Sequence, residues 1–380
     1  MKTIFGQPSY VLANRQIQAA VTQTGGHLGP VSFRIAGKTI APFAVAPWWN
    51  EKLPTGTLPL IRGLRGDFFC LPFGGNATPY RGEQHPCHGE TANGRWWFES
   101  LAHTGNATTL HLSLRTRIRS GRVDKRITLR AGETAIYQEH IITGMTGPMN
   151  PGHHATLKFP DRPGAGRFST SACVHRQVYV APTELPVAQG YSLLKPGAVF
   201  RDLRKVPTIT GELADLSRYP ARRGFEDIAI LVADPKLKIA WSAVAFPEEG
   251  YVWFTLRDPC VLPATLLWMS NGGRYYAPWN GRHVNVLGVE DITGFFHAGL
   301  ADSARPNVLT KRGLTTCHQL RAGQPFAIRY IMAVAAIPRR FERVKNITIA
   351  PGNVTLVGEH GVKVSTPVDG AFLRRTAAAA

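Results

Sequence analysis

Long apolar runs are missing from this sequence. No stretch approaches about 18 consecutive apolar residues, which excludes a membrane-spanning helix. The opening "MKTIFGQPSYVLANRQ" likewise has no apolar segment long enough for a signal peptide, so a cytoplasmic location is expected. In that setting the Asn-X-Thr triplets at Asn76, Asn106, Asn346 and Asn353 carry no meaning, because glycosylation requires secretion. Cysteine is sparse: five residues with no CxxC pair read as free thiols, not as a disulfide framework. "HPCH" (residues 85–88) places candidate metal ligands too close together to converge on one ion, and no second cluster supplies partners. No metal or cofactor is expected.

Acidic residues are also scarce, 25 against 44 Lys and Arg, for a formal net charge of +19. The arginines are nevertheless spread along the chain, in short pairs such as Arg222-Arg223, Arg339-Arg340 and Arg374-Arg375. A basic tail, a zinc finger and an aromatic-interleaved RNA motif are all absent, so nucleic acid is not an expected partner. A solvated basic surface comes first, and attraction of an acidic substrate second. Amphipathic helix patterns are few; the segment after Glu290, to about Asp302, is the best short candidate. No Ser/Gly linker or break in composition divides the chain. One domain over 1–375 is expected, with 376–380 ("TAAAA") as a tail.

What the sequence does have is glycine (38), proline (28) and alternation with period two. In "LHLSLRTRI", Leu110, Leu112, Leu114, Thr116 and Ile118 share one face of a strand, and polar residues share the other. "RITLRAGETAIYQEHII" reads as two strands about a turn near Ala131-Gly132. "KIAWSAVAF" groups Ile239, Trp241, Ala243 and Ala245, and "FAIRYIMAV" groups Phe326, Ile328, Tyr330, Met332 and Val334. A hairpin around "GEHG" joins Val354–Val357 to Val362–Thr366. The pattern predicts an all-β protein built as a large twisted antiparallel β-sandwich.

Chemistry concentrates in a few segments. "GRHVNVLGVEDITGFFH" predicts a strand buried on both faces that ends on Glu290 and Asp291. A buried lone carboxylate is costly and raises its pKa, so an acid there calls for a reason. "HPCHGETANGRWWF" presents His88-Gly89, and "MNPGHHATLKFP" presents His153 and His154 after a Pro-Gly turn. Alone, each histidine reads more readily as a loop hydrogen-bonding group. Arg65 in "LRGDFFCLPFGGN" could hold a hydroxyl or carboxylate, or form a salt bridge to Asp67. "LLWMSNGGRYYAPWN" sets Trp268, Tyr275, Tyr276 and Trp279 among Asn271, Arg274 and Asn280, a mixture suited to sugars.

In their order, these segments resemble the aldose 1-epimerase (galactose mutarotase-like) family, including its hexose-6-phosphate epimerase relatives. The resemblance runs from "GGHLGPVSFRIAGKTI" (residues 25–40) to "LRAGQPFAIRYIMAV" near residue 334. It implies a galactose mutarotase-like sandwich and an isomerase acting at an anomeric centre without a cofactor. The sugar would be a small aldose, either phosphorylated or acidic in a sharper version that uses the surplus arginines. By resemblance, Glu290 is the general base, His154 the acid, and Arg65 and His88 contact the sugar. Asp227 is the candidate for the acid that holds sugar hydroxyls, with Glu226 competing for that role. Trp279 and Tyr276 would supply aromatic faces, and Asp291, next along an extended strand, faces away from the site. A non-catalytic carbohydrate-binding or sensor protein on the same scaffold is the alternative. A nucleic-acid binder and a lyase acting on acidic polysaccharides stand further off. Oligomeric state is not readable from the sequence.

Overall fold

The computed structural model describes residues 1–374, so the expected tail at 376–380 lies outside the described residues. The chain is nearly all β. A nine-stranded sheet runs in the order 218–219, 166–170, 240–246, 251–257, 326–336, 135–143, 121–130, 107–116 and 97–104. A six-stranded sheet runs 173–178, 225–233, 264–271, 286–292, 152–158 and 69–70. Neighbouring strands in both sheets are antiparallel. A five-stranded sheet formed by residues 2–40 and a three-stranded sheet formed by residues 344–367 complete the large elements. Among the described residues, no helix is long and apolar enough to cross a membrane.

Period-two alternation explains how the layers stack. In strand Phe326–Ala336, Ile328, Tyr330, Met332 and Val334 face the core between the two large sheets. Ile331, Ala333 and Ala335 face the opposite way, toward Val344, Val354 and Leu356 of the C-terminal sheet. Strand Ala240–Phe246 divides likewise: Trp241, Ala243 and Ala245 point outward and Val244 and Phe246 inward. Across the core, His153 of the six-stranded sheet stacks on Tyr330 of the nine-stranded sheet, with ring centres 4.2 Å apart. The six-stranded sheet's far face carries Ile228, Ile230, Leu266 and Trp268 and is roofed by loops bearing Trp48, Leu60, Leu64 and Phe296. Both its faces are therefore covered, and strands such as Val286–Ile292 are buried throughout.

Three expectations about elements change. The strand carrying Leu110 stops at Thr116, and Ile118 lies in the following turn. Strand Val286–Ile292 does not end on Glu290 and Asp291 but runs past them, because Gly152–Lys158 and Ala264–Asn271 hydrogen-bond it on both sides. The helix expected directly after Glu290 is displaced to Leu300–Ala304, since residues up to Ile292 are held in the sheet.

The interior is not wholly apolar. Asp291 forms an ion pair with Arg257 at 2.8 Å, both side chains being fully buried. It also accepts hydrogen bonds from Thr255, Thr265 and the Tyr330 hydroxyl at 2.7, 2.7 and 2.9 Å. Removing one member of such a pair strands the other charge, a loss of roughly 3–5 kcal/mol. Asp291→Ala is therefore expected to destabilise the fold by about that amount in denaturant unfolding. A loss below about 1 kcal/mol would show that Arg257 does not depend on this partner.

Candidate functional site

The six-stranded sheet's outer face carries a cavity of about 130 Å³. Its polar side chains are His88, His154, Arg274, Glu290 and His297, with Cys87 beside them. Phe68, Trp268 and Trp279 supply aromatic surface, and Leu60, Ile61, Leu64, Ile228 and Leu266 supply aliphatic walls.

Sheet register brings the acid and the imidazole together. His154 on strand Gly152–Lys158 lies directly opposite Glu290 on Val286–Ile292, and His153 lies opposite Asp291. Opposed residues point to the same face, so one pair enters the core and the other enters the cavity. His154 Nε2 sits 3.2 Å from Glu290 Oε1. The approach is off-axis, so that buried oxygen has no hydrogen-bond partner. His154 Nδ1 lies 3.2 Å from the Thr156 hydroxyl, and the ring stacks on Phe68 at 4.3 Å. Gly288 leaves the space into which Glu290 folds: a Cβ there would come 2.4 Å from Glu290 Oε1.

His88 arrives on a loop with unusual backbone geometry. It has φ +58°, and Gly89 follows at +75°. A Cβ on Gly89 would meet the Leu71 carbonyl oxygen at 2.0 Å, which explains the glycine after this histidine. The Gly74 N–H donates to His88 Nδ1 at 3.3 Å, placing the ring proton on Nε2. Its ring meets that of His154 edge-on, with centres 4.9 Å apart.

Burial dominates the protonation of the site. It pushes the Glu290 carboxyl well above its ordinary range and His154 well below the usual imidazole value. His88 is pushed down to about 3 and His297 to about 4, again chiefly by burial. The three imidazoles are thus neutral near pH 7, each offering one donor and one acceptor. For Arg274, burial opposes the charge, but Glu226 and Glu184 outweigh it and raise the pKa. Its Nε donates to Glu184 at 2.6 Å, and its guanidinium lies over the Trp279 ring at 4.5 Å. Its two terminal nitrogens donate no hydrogen bond to the described residues.

Of the residues expected from sequence, His88, His154, Glu290 and Trp279 line this cavity together. Arg65 does not. Its guanidinium donates to the carbonyls of Gly63, Ile4 and Phe5 at 2.9, 2.9 and 2.8 Å, fastening the N-terminal segment instead. Asp227 points to the strand's other face, where it accepts from the backbone N–H groups of Leu193 and Leu194. Glu226 shares the face of the cavity-lining Ile228. It accepts from Trp268 Nε1 and Ser270 at 2.9 Å each, and burial pushes it up to about 7. Tyr276 stands behind the cavity, its hydroxyl directed at Glu184 at 3.2 Å. Arg274, expected from sequence as a polar neighbour of the aromatic cluster and as one of the surplus arginines, along with Arg81 and Arg95, that could meet an acidic sugar, is the arginine that lines the cavity. His297 and the Leu60–Leu64 wall carried no sequence signal, being brought in by loops far from the two histidine segments.

No family model matches the sequence, and no curated protein is detectably similar to it. Solved structures are similar in shape. A protein of Escherichia coli K12, provisionally called an aldose 1-epimerase, superposes with a TM-score of 0.58 at 16% identity, over 87% of this chain and 100% of its own. A galactose mutarotase-like protein of Clostridium acetobutylicum gives 0.55 at 11% identity, over 88% and 98%. A galactose mutarotase related enzyme of Lactobacillus acidophilus gives 0.54 at 14%, over 87% and 98%. The chain has the galactose mutarotase-like fold. The expected sandwich is therefore the observed one, and at these identities the likeness speaks for the fold alone.

In this mutarotase-like scaffold Glu290 is held at a cost to stability. An acid whose folded pKa lies above its unfolded value, here 4.5, withdraws stability as pH rises beyond that value. Glu290→Gln is thus expected to unfold at higher temperature than the parent at pH 8, by the equivalent of roughly 1–3 kcal/mol. The gap should narrow towards pH 5. Thermal melting across this range tests the assignment, and a variant no more stable at pH 8 than the parent would overturn it.

Proposed function

We propose that this chain is a sugar isomerase that interconverts the anomers of an aldose, with Glu290 and His154 as its acid–base pair. One observation carries the reading: a buried carboxyl and a buried imidazole lie 3.2 Å apart at the floor of a cavity walled by Trp268 and Trp279. Mutarotation requires a group to remove the anomeric hydroxyl proton and another to protonate the ring oxygen. Glu290 takes the first role and His154 the second. The C1–O5 bond breaks as the C1 carbonyl forms, rotation about C1–C2 exposes the other face, and closure reverses both proton transfers. A single proton shared by the pair suffices for the cycle. Burial favours the uncharged arrangement when the cavity is empty; a hydrogen bond donated by the anomeric hydroxyl to the carboxylate, and one accepted by the ring oxygen from the imidazolium, support the charged one.

His88 and the terminal nitrogens of Arg274 are positioned to orient hydroxyls, and the tryptophans to cover the ring's C–H face. The cavity, of about 130 Å³, is on the scale of a single sugar ring. Its charge favours an unphosphorylated sugar, since Arg274 is already countered by Glu184 at 2.6 Å and approached by Glu226 at 4.0 Å.

Polarimetry or exchange NMR on a panel of aldoses tests the proposal. Glu290→Gln and His154→Ala are each expected to lower the acceleration by about 10²-fold or more. Acceleration of no aldose above the Glu290→Gln level would exclude catalysis. Sugar binding retained in both variants without any rate effect would identify a binding protein instead.

A further inference from the structure

The net charge of +19 is not concentrated in the cavity, and part of it gathers elsewhere. At the edge of the nine-stranded sheet, Arg167 and Arg218 occupy directly opposed positions on antiparallel strands. Like charges in that arrangement repel and destabilise a sheet. Among the described residues neither has an acid oxygen within 4.0 Å. Arg167 Nε and Nη1 are buried without a hydrogen-bond partner, as is Nε of the nearby Arg343. Gly164 makes room for the arrangement: a Cβ there would lie 3.2 Å from Arg167 Nη1 and 3.5 Å from Arg218 Cβ. Burial lowers the Arg167 pKa, Arg218 and Arg343 lower it further, and Glu342 partly opposes them.

These side chains line a trench of about 350 Å³, into which Arg204 also projects. Past Arg167 it continues as a second hollow of about 390 Å³ that reaches Arg339. Most acids along the trench are engaged: Glu359 with Arg343, Asp215 with Ser217, and Glu248 with Arg162. Glu342 stands exposed on the wall.

The geometry points to a second binding site in this trench, one that takes the phosphate group of a small molecule. Guanidinium groups face the trench from both opposed strands, and Arg343, held by Glu359 and Ser217, stands beside them. That suits a tetrahedral dianion with several acceptor oxygens, whereas one bidentate arginine suffices for a planar carboxylate. The remaining acids, Glu342 above all, would repel a long polyanion passing along the trench, which limits the ligand to a compact one. An oxyanion seated between Arg167 and Arg218 removes their mutual repulsion. The site shares no lining residue with the proposed catalytic cavity, so it stands or falls independently of that assignment.

Calorimetric titration with inorganic phosphate at low, constant ionic strength tests the site, with chloride as the comparison ion. Saturable binding is expected, weakened roughly tenfold or more by Arg218→Gln and left unchanged by Arg274→Gln in the other cavity. Arg218 is exposed and makes no ion pair, so its replacement leaves the fold intact. A parallel titration with a hexose phosphate separates the sources. Tighter binding than inorganic phosphate, lost in Arg218→Gln, identifies a phosphorylated small molecule, and equal binding identifies the phosphate group alone. Absence of saturable binding, or binding that Arg274→Gln removes and Arg218→Gln does not, overturns the proposal.

Discussion

The antiparallel register between Gly152–Lys158 and Val286–Ile292 places the pair of side chains at the floor of the site. It sets two histidines opposite two acids and, through strand alternation, sends the pairs to opposite faces of one sheet. Inside, Asp291 satisfies Arg257 and receives Tyr330, while His153 lies 3.0 Å from Asp67. Outside, Glu290 and His154 meet in the cavity with one carboxylate oxygen left unpartnered. A slip of one residue would exchange these environments, burying the cavity pair in the core and exposing the interior one. The interior ion pair thus holds the register on which the cavity pair depends.

Two-sided burial gives the cavity its chemistry. The sheet beneath Glu290 is buried on its core face, and the segment bearing Leu60 and Leu64 walls the cavity on the other. A carboxyl in such surroundings keeps its proton, and an imidazole stays neutral. Glycine makes the geometry possible at two places: Gly288 beneath the Glu290 side chain, and Gly89 against the Leu71 carbonyl after the left-handed His88. A Cβ on Gly288 would displace the Glu290 carboxyl, and one on Gly89 would collide with the backbone of Leu71 and Pro72.

Much of the fold was legible because alternation records burial. Residues 240–246 and 326–336 each divide between two apolar environments as their pattern indicates. Glu290, His154 and His88 were legible for a different reason: a carboxylate in an apolar strand and histidines after Gly/Pro turns are locally anomalous. Arg65 was not correctly read, since nothing local separates a guanidinium that binds ligand from one that binds carbonyls. The carbonyls concerned belong to Ile4 and Phe5, about sixty positions away. The choice between Glu226 and Asp227 turned on strand phase. In a strand buried on both faces, phase leaves no trace in hydrophobicity, and only the neighbouring Ile228 shows which acid lies on the cavity's side of the sheet.

The failure of Arg65 and the position of Arg274 together bear on how a basic protein can hold a nearly neutral cavity. Arg65 spends its donors on backbone carbonyls, so its charge lies outside the cavity lining. Arg274 does face the cavity, yet it does so paired with Glu184, whose other contact is the Tyr276 hydroxyl. A guanidinium fixed in this way keeps its terminal donors directed while its charge is largely cancelled. Such a group favours a ligand by hydrogen-bond geometry more than by Coulomb attraction. That is the arrangement expected where the ligand is a polyhydroxyl ring, whose many weak dipoles reward orientation and offer no net charge to attract.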